Sequence, residues 1–160
     1  MITTIQNYSE QDIEESIRYL LAKASKSEAV RQQAVQIIAG APDPILAIHS
    51  WVRENLSYIP DPVNNGQEIE MFTSPVKLVN DHNSGHAIGE DCDSHAILTV
   101  ALFQSIGIAA HVVLAGYNGN DFEHAYCQVF SQPLDRWIDV DTTTDYPVGW
   151  VHPTTRELVV

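Results

Sequence analysis

Apolar residues recur at helical spacing three times in the first third of the chain. Ile13, Ile17, Leu20, Leu21 and Ala24 fall on one face, which predicts an amphipathic helix over 9–25. Ser9 followed by Asp12 forms a capping pattern at its start. A second helix is predicted over 27–38 and stops at Gly40. Asp43-Pro44 opens a third. Aspartate is a good N-cap, and proline tolerates the first helical position, where its missing N–H had no partner anyway. Ile45, Ile48, Val52 and Leu56 give the buried stripe of this helix, with Trp51 beside it.

The pattern then loosens. Pro60, Pro62, Asn64, Asn65 and Gly66 are strong turn formers. Ser74-Pro75 starts a short helix running to Val79, and the polar stretch 80–89 reads as a loop. Residues 91–107 are apolar nearly all round, the mark of a buried central helix, and Gly107 ends it. Beyond it the apolar period changes from helical to alternating. Strands are predicted over 109–115, 122–130 and 136–141, joined by the turn-rich segments 116–120 and 131–135. Helices first and hairpin-linked strands afterwards predict an α+β fold with an antiparallel sheet. The chain reads as a single domain over 1–160, with a helical extension over 1–42 and a core over 43–152.

Composition narrows the function classes. A hydrophobic share of 44% in 160 residues supplies a core. No apolar run reaches the ~20 residues that span a bilayer, and the first residues lack the basic start of a signal peptide. A cytoplasmic location is expected, or a place in a virion if the gene is viral. Two cysteines are too few for a disulfide scaffold. The net charge of −13 repels phosphate backbones and anionic membranes, so neither is an expected partner. From Glu54 onward 15 acids face three bases, Lys77, Arg136 and Arg156. That acidity serves solubility, or else a preference for a cationic, polyamine-like substrate.

Three residues have placements suited to nucleophilic catalysis. Cys92 falls in the first turn of the apolar helix, with Asp91 able to cap it. The helix dipole favours a thiolate there, and free N–H groups can bind an oxyanion. Asp91 and Asp93 oppose ionisation of the sulfur, so a basic partner is needed. His124 supplies one, on a strand whose other face carries Ala125, Cys127 and Val129. A hairpin centred between Gln132 and Pro133 sets His124 opposite Asp141, with Cβ atoms ~4.5–5.5 Å apart. Asp139, on the same face, is the rival. Cys92, His124 and an aspartate then form a nucleophile, a base and an orienting acid. Zinc at His82, His86, Cys92 and His95 is disfavoured, because the segment crosses a loop-to-helix boundary with one cysteine. No metal and no cofactor is expected.

Three sequence blocks resemble the transglutaminase-like superfamily of papain-type cysteine enzymes. They are Gly89-Glu90-Asp91-Cys92-Asp93-Ser94-His95-Ala96, Glu123-His124-Ala125-Tyr126 and Trp137-Ile138-Asp139-Val140-Asp141-Thr142-Thr143. Alignment to the last block selects Asp141 over Asp139. Thr142 stands where many relatives have proline. The stretches Trp51–Tyr58, Ser74-Pro75 and Pro147–Trp150 resemble members encoded by phages and prophages in particular. The resemblance implies acyl transfer on an amide bond of a peptide or protein, through Cys92, His124 and Asp141 and a thioester. Peptidase, amidase or deamidase action is expected ahead of cross-linking, since 160 residues leave little material for a second, dry substrate channel. Trp51 and Tyr126 are the candidate substrate contacts, and Trp51, Gln67 and the 80–86 loop are candidates for a second oxyanion donor. The alternative is a catalytically silent virion module that keeps the fold. Cys127, on the small apolar face of its strand, is the internal control: alkylation of the folded protein, followed by peptide mass spectrometry, is expected to favour Cys92 strongly over Cys127.

Overall fold

The computed structural model describes residues 1–5, 9–64, 67–119 and 121–160. Asn65, Gly66 and Asn120, and the side chain of Gln67, lie outside the described residues. In chain order the elements are β1 (Ile2–Ile5), α1 (Glu10–Ala24), α2 (Glu28–Ile38), α3 (Pro44–Asn55), β2 (Leu56–Tyr58), β3 (Val63–Asn64), β4 (Gln67–Glu68), β5 (Glu70–Thr73), α4 (Pro75–Asn83), β6 (Ile88–Glu90), α5 (Cys92–Ser105), β7 (Ala110–Gly116), β8 (His124–Ser131), β9 (Arg136–Val140) and β10 (Arg156–Val159).

The fold is α+β, with helices gathered on an antiparallel sheet. Local chemistry starts each helix where the sequence places it. Ser9 and Asp12 form a reciprocal capping box on α1, and Ser27 caps α2. Asp43 accepts from the N–H groups of Ile45 and Leu46 with Pro44 in the first turn of α3, and Ser74 caps α4 in the same way above Pro75. Twelve of the fourteen residues of α5 are buried, so this helix is the axis of the core. α1, α2, α3 and α4 pack around it on one side, and β7 and β8 on the other.

The main sheet runs β10-β7-β8-β9, antiparallel throughout. Val112, Leu114, Ala125, Cys127, Val129, Ile138 and Val140 face the core shared with α5. Val113, Ala115 and Tyr126 form a smaller cluster apart from it.

Four expectations are corrected. The loop over 80–89 is largely structured: α4 continues to Asn83, and β6 pairs in parallel with β2. The first residues are not helical, because β1 pairs with β5. A strand beyond the expected three, β10, closes the sheet edge on β7. Finally, the β8–β9 hairpin turns over four residues, 132–135, rather than about a point between 132 and 133, with Asp135 in the left-handed region at φ 50°. Cys127 therefore pairs with Val140 and Gln128 with Asp139. The partner moves by two residues, which keeps every side chain on its expected face.

α1 and α2 are part of the core. Ile17, Leu20, Leu21, Ala24, Val30 and Ala34 all join the cluster around α5. Truncating Leu20, which is 2% exposed, leaves a cavity under α5. Leu20→Ala is expected to lower unfolding stability by about 2–5 kcal/mol in urea denaturation.

Candidate active site

A cavity of about 540 Å³ opens where the start of α5 meets the start of β8, and both Cys92 and His124 line it. Cys92 is the first residue of α5 and is partly exposed, whereas Cys127 is fully buried. Asp91 occupies the cap position, but its carboxylate makes no capping hydrogen bond. That departs from the expected cap. Burial, and then the negative charge of Asp91, push the Cys92 thiol up to about 12, and Glu70 and Asp141 add to the shift. The backbone N–H of Ala125 works in the opposite direction. These surroundings favour the thiol form of the resting sulfur.

His124 opens β8, and its Nε2 lies 2.7 Å from Asp141 Oδ2. The structure therefore brings His124 and Asp141 together, although not as a directly opposed ladder pair. Asp141 sits one residue past the end of β9. There its Oδ1 accepts from the N–H of Thr143 at 2.8 Å and from its hydroxyl at 2.7 Å, an Asx turn that aims Oδ2 back at the ring. Its main-chain carbonyl accepts from His49 Nε2 at 3.1 Å, and Thr142 bonds to His95 Nδ1 at 3.0 Å. Burial would raise the Asp141 carboxyl, but hydrogen bonds from His124 and His152 outweigh it and hold the group well below the usual carboxylate range. With Nε2 committed to Asp141, Nδ1 is the nitrogen of His124 left for a proton from the cavity side.

Asp139 is not the partner of His124. It accepts from Gln128 Nε2 at 2.8 Å and lies 3.2 Å from His152 Nδ1. His152 is the functional-site residue that sequence reasoning missed. It sits in an irregular segment with no periodicity around it, and only the return of the chain through β10 brings it to the site.

Two candidate substrate contacts lie elsewhere. Trp51 packs edge-on against His82, ring centroids 4.9 Å apart, and does not line the cavity. Its ring thus reaches from α3 to a side chain of α4. Tyr126 is 1% exposed, stacks on His152 and donates its hydroxyl to Glu157 Oε1 at 3.1 Å, so it supports the site from within the protein.

The lining of the cavity is acidic, with Asp61, Glu70, Asp91 and Asp93. Carboxylate oxygens of Glu70, Asp91 and Asp93 lie within 4.8 Å of one another, an all-oxygen set of the kind that hard cations take. The same crowding shifts these groups upward: burial raises Asp91, and burial with its two acidic neighbours raises Asp93 far more. Burial and the charge of Asp91 likewise lift Asp61 to about 7.

The model of the transglutaminase-like superfamily matches residues 28–142, a span that contains Cys92, His124 and Asp141. The chain belongs to the transglutaminase-like superfamily. The match begins within the stretch set apart as an extension, at the first residue of α2. Among solved structures, the chain is similar to a candidate cysteine protease from Cytophaga hutchinsonii, with 21% identity and a TM-score of 0.55, covering 89% of this chain and 49% of that one. It is also similar to a candidate protease from Parabacteroides distasonis, with 13% identity and a TM-score of 0.55, covering 82% of this chain and 26% of that one. The chain thus spans about half the length of the first and about a quarter of the second. No curated protein matches it. No helix among the described residues is long and apolar enough to cross a membrane.

The elevated thiol makes a prediction specific to this transglutaminase-like site. Iodoacetamide labelling of Cys92 in the folded protein is expected to keep accelerating with pH and not to level off below about pH 10, whereas an ordinary cysteine with a pKa of about 8.5 levels off sooner. Time courses read by mass spectrometry check this, and a plateau near neutral pH would show a sulfur already ionised.

Proposed function

We propose that this chain is a cysteine enzyme that breaks an amide bond of a peptide or protein, with Cys92 as nucleophile, His124 as base and Asp141 acting through His124. Membership of the superfamily supports a cysteine-based enzyme in general. The observation that carries the specific reading is the shared cavity: a helix-start cysteine and a histidine bonded at 2.7 Å to a buried carboxylate line one opening.

The chemistry follows from the charges. His124 Nδ1 takes the thiol proton as the sulfur attacks the amide carbonyl, because a thiol raised to about 12 does not ionise ahead of attack. The new S–C bond turns the carbonyl oxygen into an oxyanion, which an N–H group at the start of α5 can receive. The C–N bond then breaks. The amine leaves with the proton from His124, and a thioester remains on Cys92. Water, deprotonated by His124, attacks the thioester, releases a carboxylic acid and restores the thiol. Asp141 stays ionised throughout, holds the imidazole by Nε2 and stabilises its charged form.

Hydrolysis is favoured over amine transfer because the cavity that holds the sulfur is open to solvent. An amine acceptor would need protection from competing water.

The test is capture of the acyl-enzyme. Incubation with a mixture of candidate peptides, rapid acid quenching and mass spectrometry are expected to give an acyl adduct on Cys92 and none on Cys127. Cys92→Ala should abolish the adduct with the far-ultraviolet spectrum unchanged. His124→Ala should slow acylation by at least about 100-fold, in line with general-base contributions. Incorporation of a labelled amine into protein glutamines without cleavage of any peptide would replace hydrolysis with transfer.

A further inference from the structure

Asp141 carries a second histidine. His152 Nε2 lies 3.0 Å from Asp141 Oδ2, the same oxygen that His124 uses. His152 Nδ1 lies 3.2 Å from Asp139 Oδ2, and the His152 backbone N–H donates to that oxygen at 3.2 Å. Ionised carboxylates only accept hydrogen bonds, so a ring facing one at each nitrogen satisfies both by carrying two protons. The ring is buried, at 6% exposure for the residue.

We propose that His152 is a positioning residue of the Cys92 site, an imidazolium that bridges Asp139 and Asp141 and balances the charge that Asp141 presents to His124. This rests on the reading of Cys92, His124 and Asp141 given above, and it adds a fourth member. The member lies beyond the residues that the family model matches, which end at 142.

The bridge is built from several directions. Tyr126 on β8 stacks flat on the His152 ring, with centroids 4.0 Å apart and planes 8° from parallel, and Trp150 meets it edge-on at 4.9 Å. The segment that delivers His152 is itself tied down. Gly149 N–H donates to the Asp139 carbonyl at 2.7 Å, and Thr155 N–H to the Gly116 carbonyl at 2.8 Å. Beyond Asp139 the network continues through Gln128 Nε2 at 2.8 Å to His111, whose Nε2 donates to Gln128 Oε1 at 2.9 Å. Hydrogen bonds to the two aspartates overcome the effect of burial and lift His152 to about 9.

The consequence for the chemistry is electrostatic. A buried carboxylate with one histidine partner draws a proton strongly onto that partner. A protonated His124 is no base. The positive charge on His152, sharing the same oxygen, weakens that pull and repels a proton on His124. A second cavity beside the two rings is lined by Tyr117, Glu123 and Tyr146. The titratable groups facing His152 are therefore Asp139, Asp141, His124 and Tyr126, with Glu123, Tyr117 and Tyr146 across that cavity.

The test reads the rings without turnover, by nuclear magnetic resonance titration of the histidine side chains in the whole chain. In the wild type, the His152 signals are expected to remain those of an imidazolium through pH 8. In His152→Gln, which keeps a donor but no charge, the His124 midpoint is expected to rise by about one pH unit or more relative to the wild type. Stability adds an independent readout. A histidine raised from 6.5 to about 9 contributes fully below 6.5, and the contribution is lost as pH climbs through about 9. The wild-type melting temperature should fall over that window, and in His152→Gln the fall should be absent or much reduced. A His152 that titrates near 6.5 in the wild type overturns the proposal even if the variant does not fold. So does a folded His152→Gln with an unmoved His124 midpoint. Failure to trap any acyl-enzyme would remove the proposed function and leave these ring titrations intact, so the two failures are distinguishable.

Discussion

A buried carboxylate must be paired or it will take up a proton, and the architecture around Asp141 is organised by that requirement. Asp141 is 6% exposed, yet its two oxygens meet His124, His152 and both donors of Thr143. Its carbonyl also holds His49 of α3. Five groups from four parts of the chain are thus fixed to one residue just past the end of β9. Removing one of the four that meet the carboxylate leaves a buried charge less well paired, which costs more than the loss of an ordinary surface pair. This is what holds the start of β8, and with it His124, at a constant place relative to α5.

The same region shows how an acidic protein manages its charge. On the sheet side of the sulfur, aspartates are matched by histidines and held ionised. On the acidic wall of the cavity, Asp61, Asp91 and Asp93 are raised by burial and by neighbouring acids. Cys92 stands between the two and remains a thiol. A sulfur held as a thiol differs from a preformed thiolate, and in the proposed reaction it places the proton transfer within the attack step.

Support for Cys92 also comes from far along the chain. Thr73 N–H on β5 donates to Ser94 Oγ at 3.1 Å, and His95 bonds to Thr142, so the first turn of α5 is tied to β5 on one side and to the segment after β9 on the other. β5 is held in turn by β1, the first strand of the chain. Residues that precede the superfamily match therefore contribute to the rigidity of the site through backbone pairing and through the packing of α1 on α5.

The sequence by itself determined the helices and the chemistry of the central block. Caps such as Ser9, Ser27 and Asp43 act within a few residues, and the all-apolar surface of α5 has one stable destination, so both are readable from the chain. Alternation along β7, β8 and β9 fixed which face each side chain takes, and a hairpin shift of two residues left that unchanged. Tertiary structure decided the rest, because the deciding contacts join residues that no short-range pattern links. The pairing of β1 with β5, the parallel pairing of β2 with β6, and the closure by β10 all depend on remote strand edges. The burial of Tyr126, the seating of Trp51 against His82 and the arrival of His152 between two aspartates are of the same kind: each residue's role is set by the partner it meets across space, and the sequence carries the residue but not the meeting.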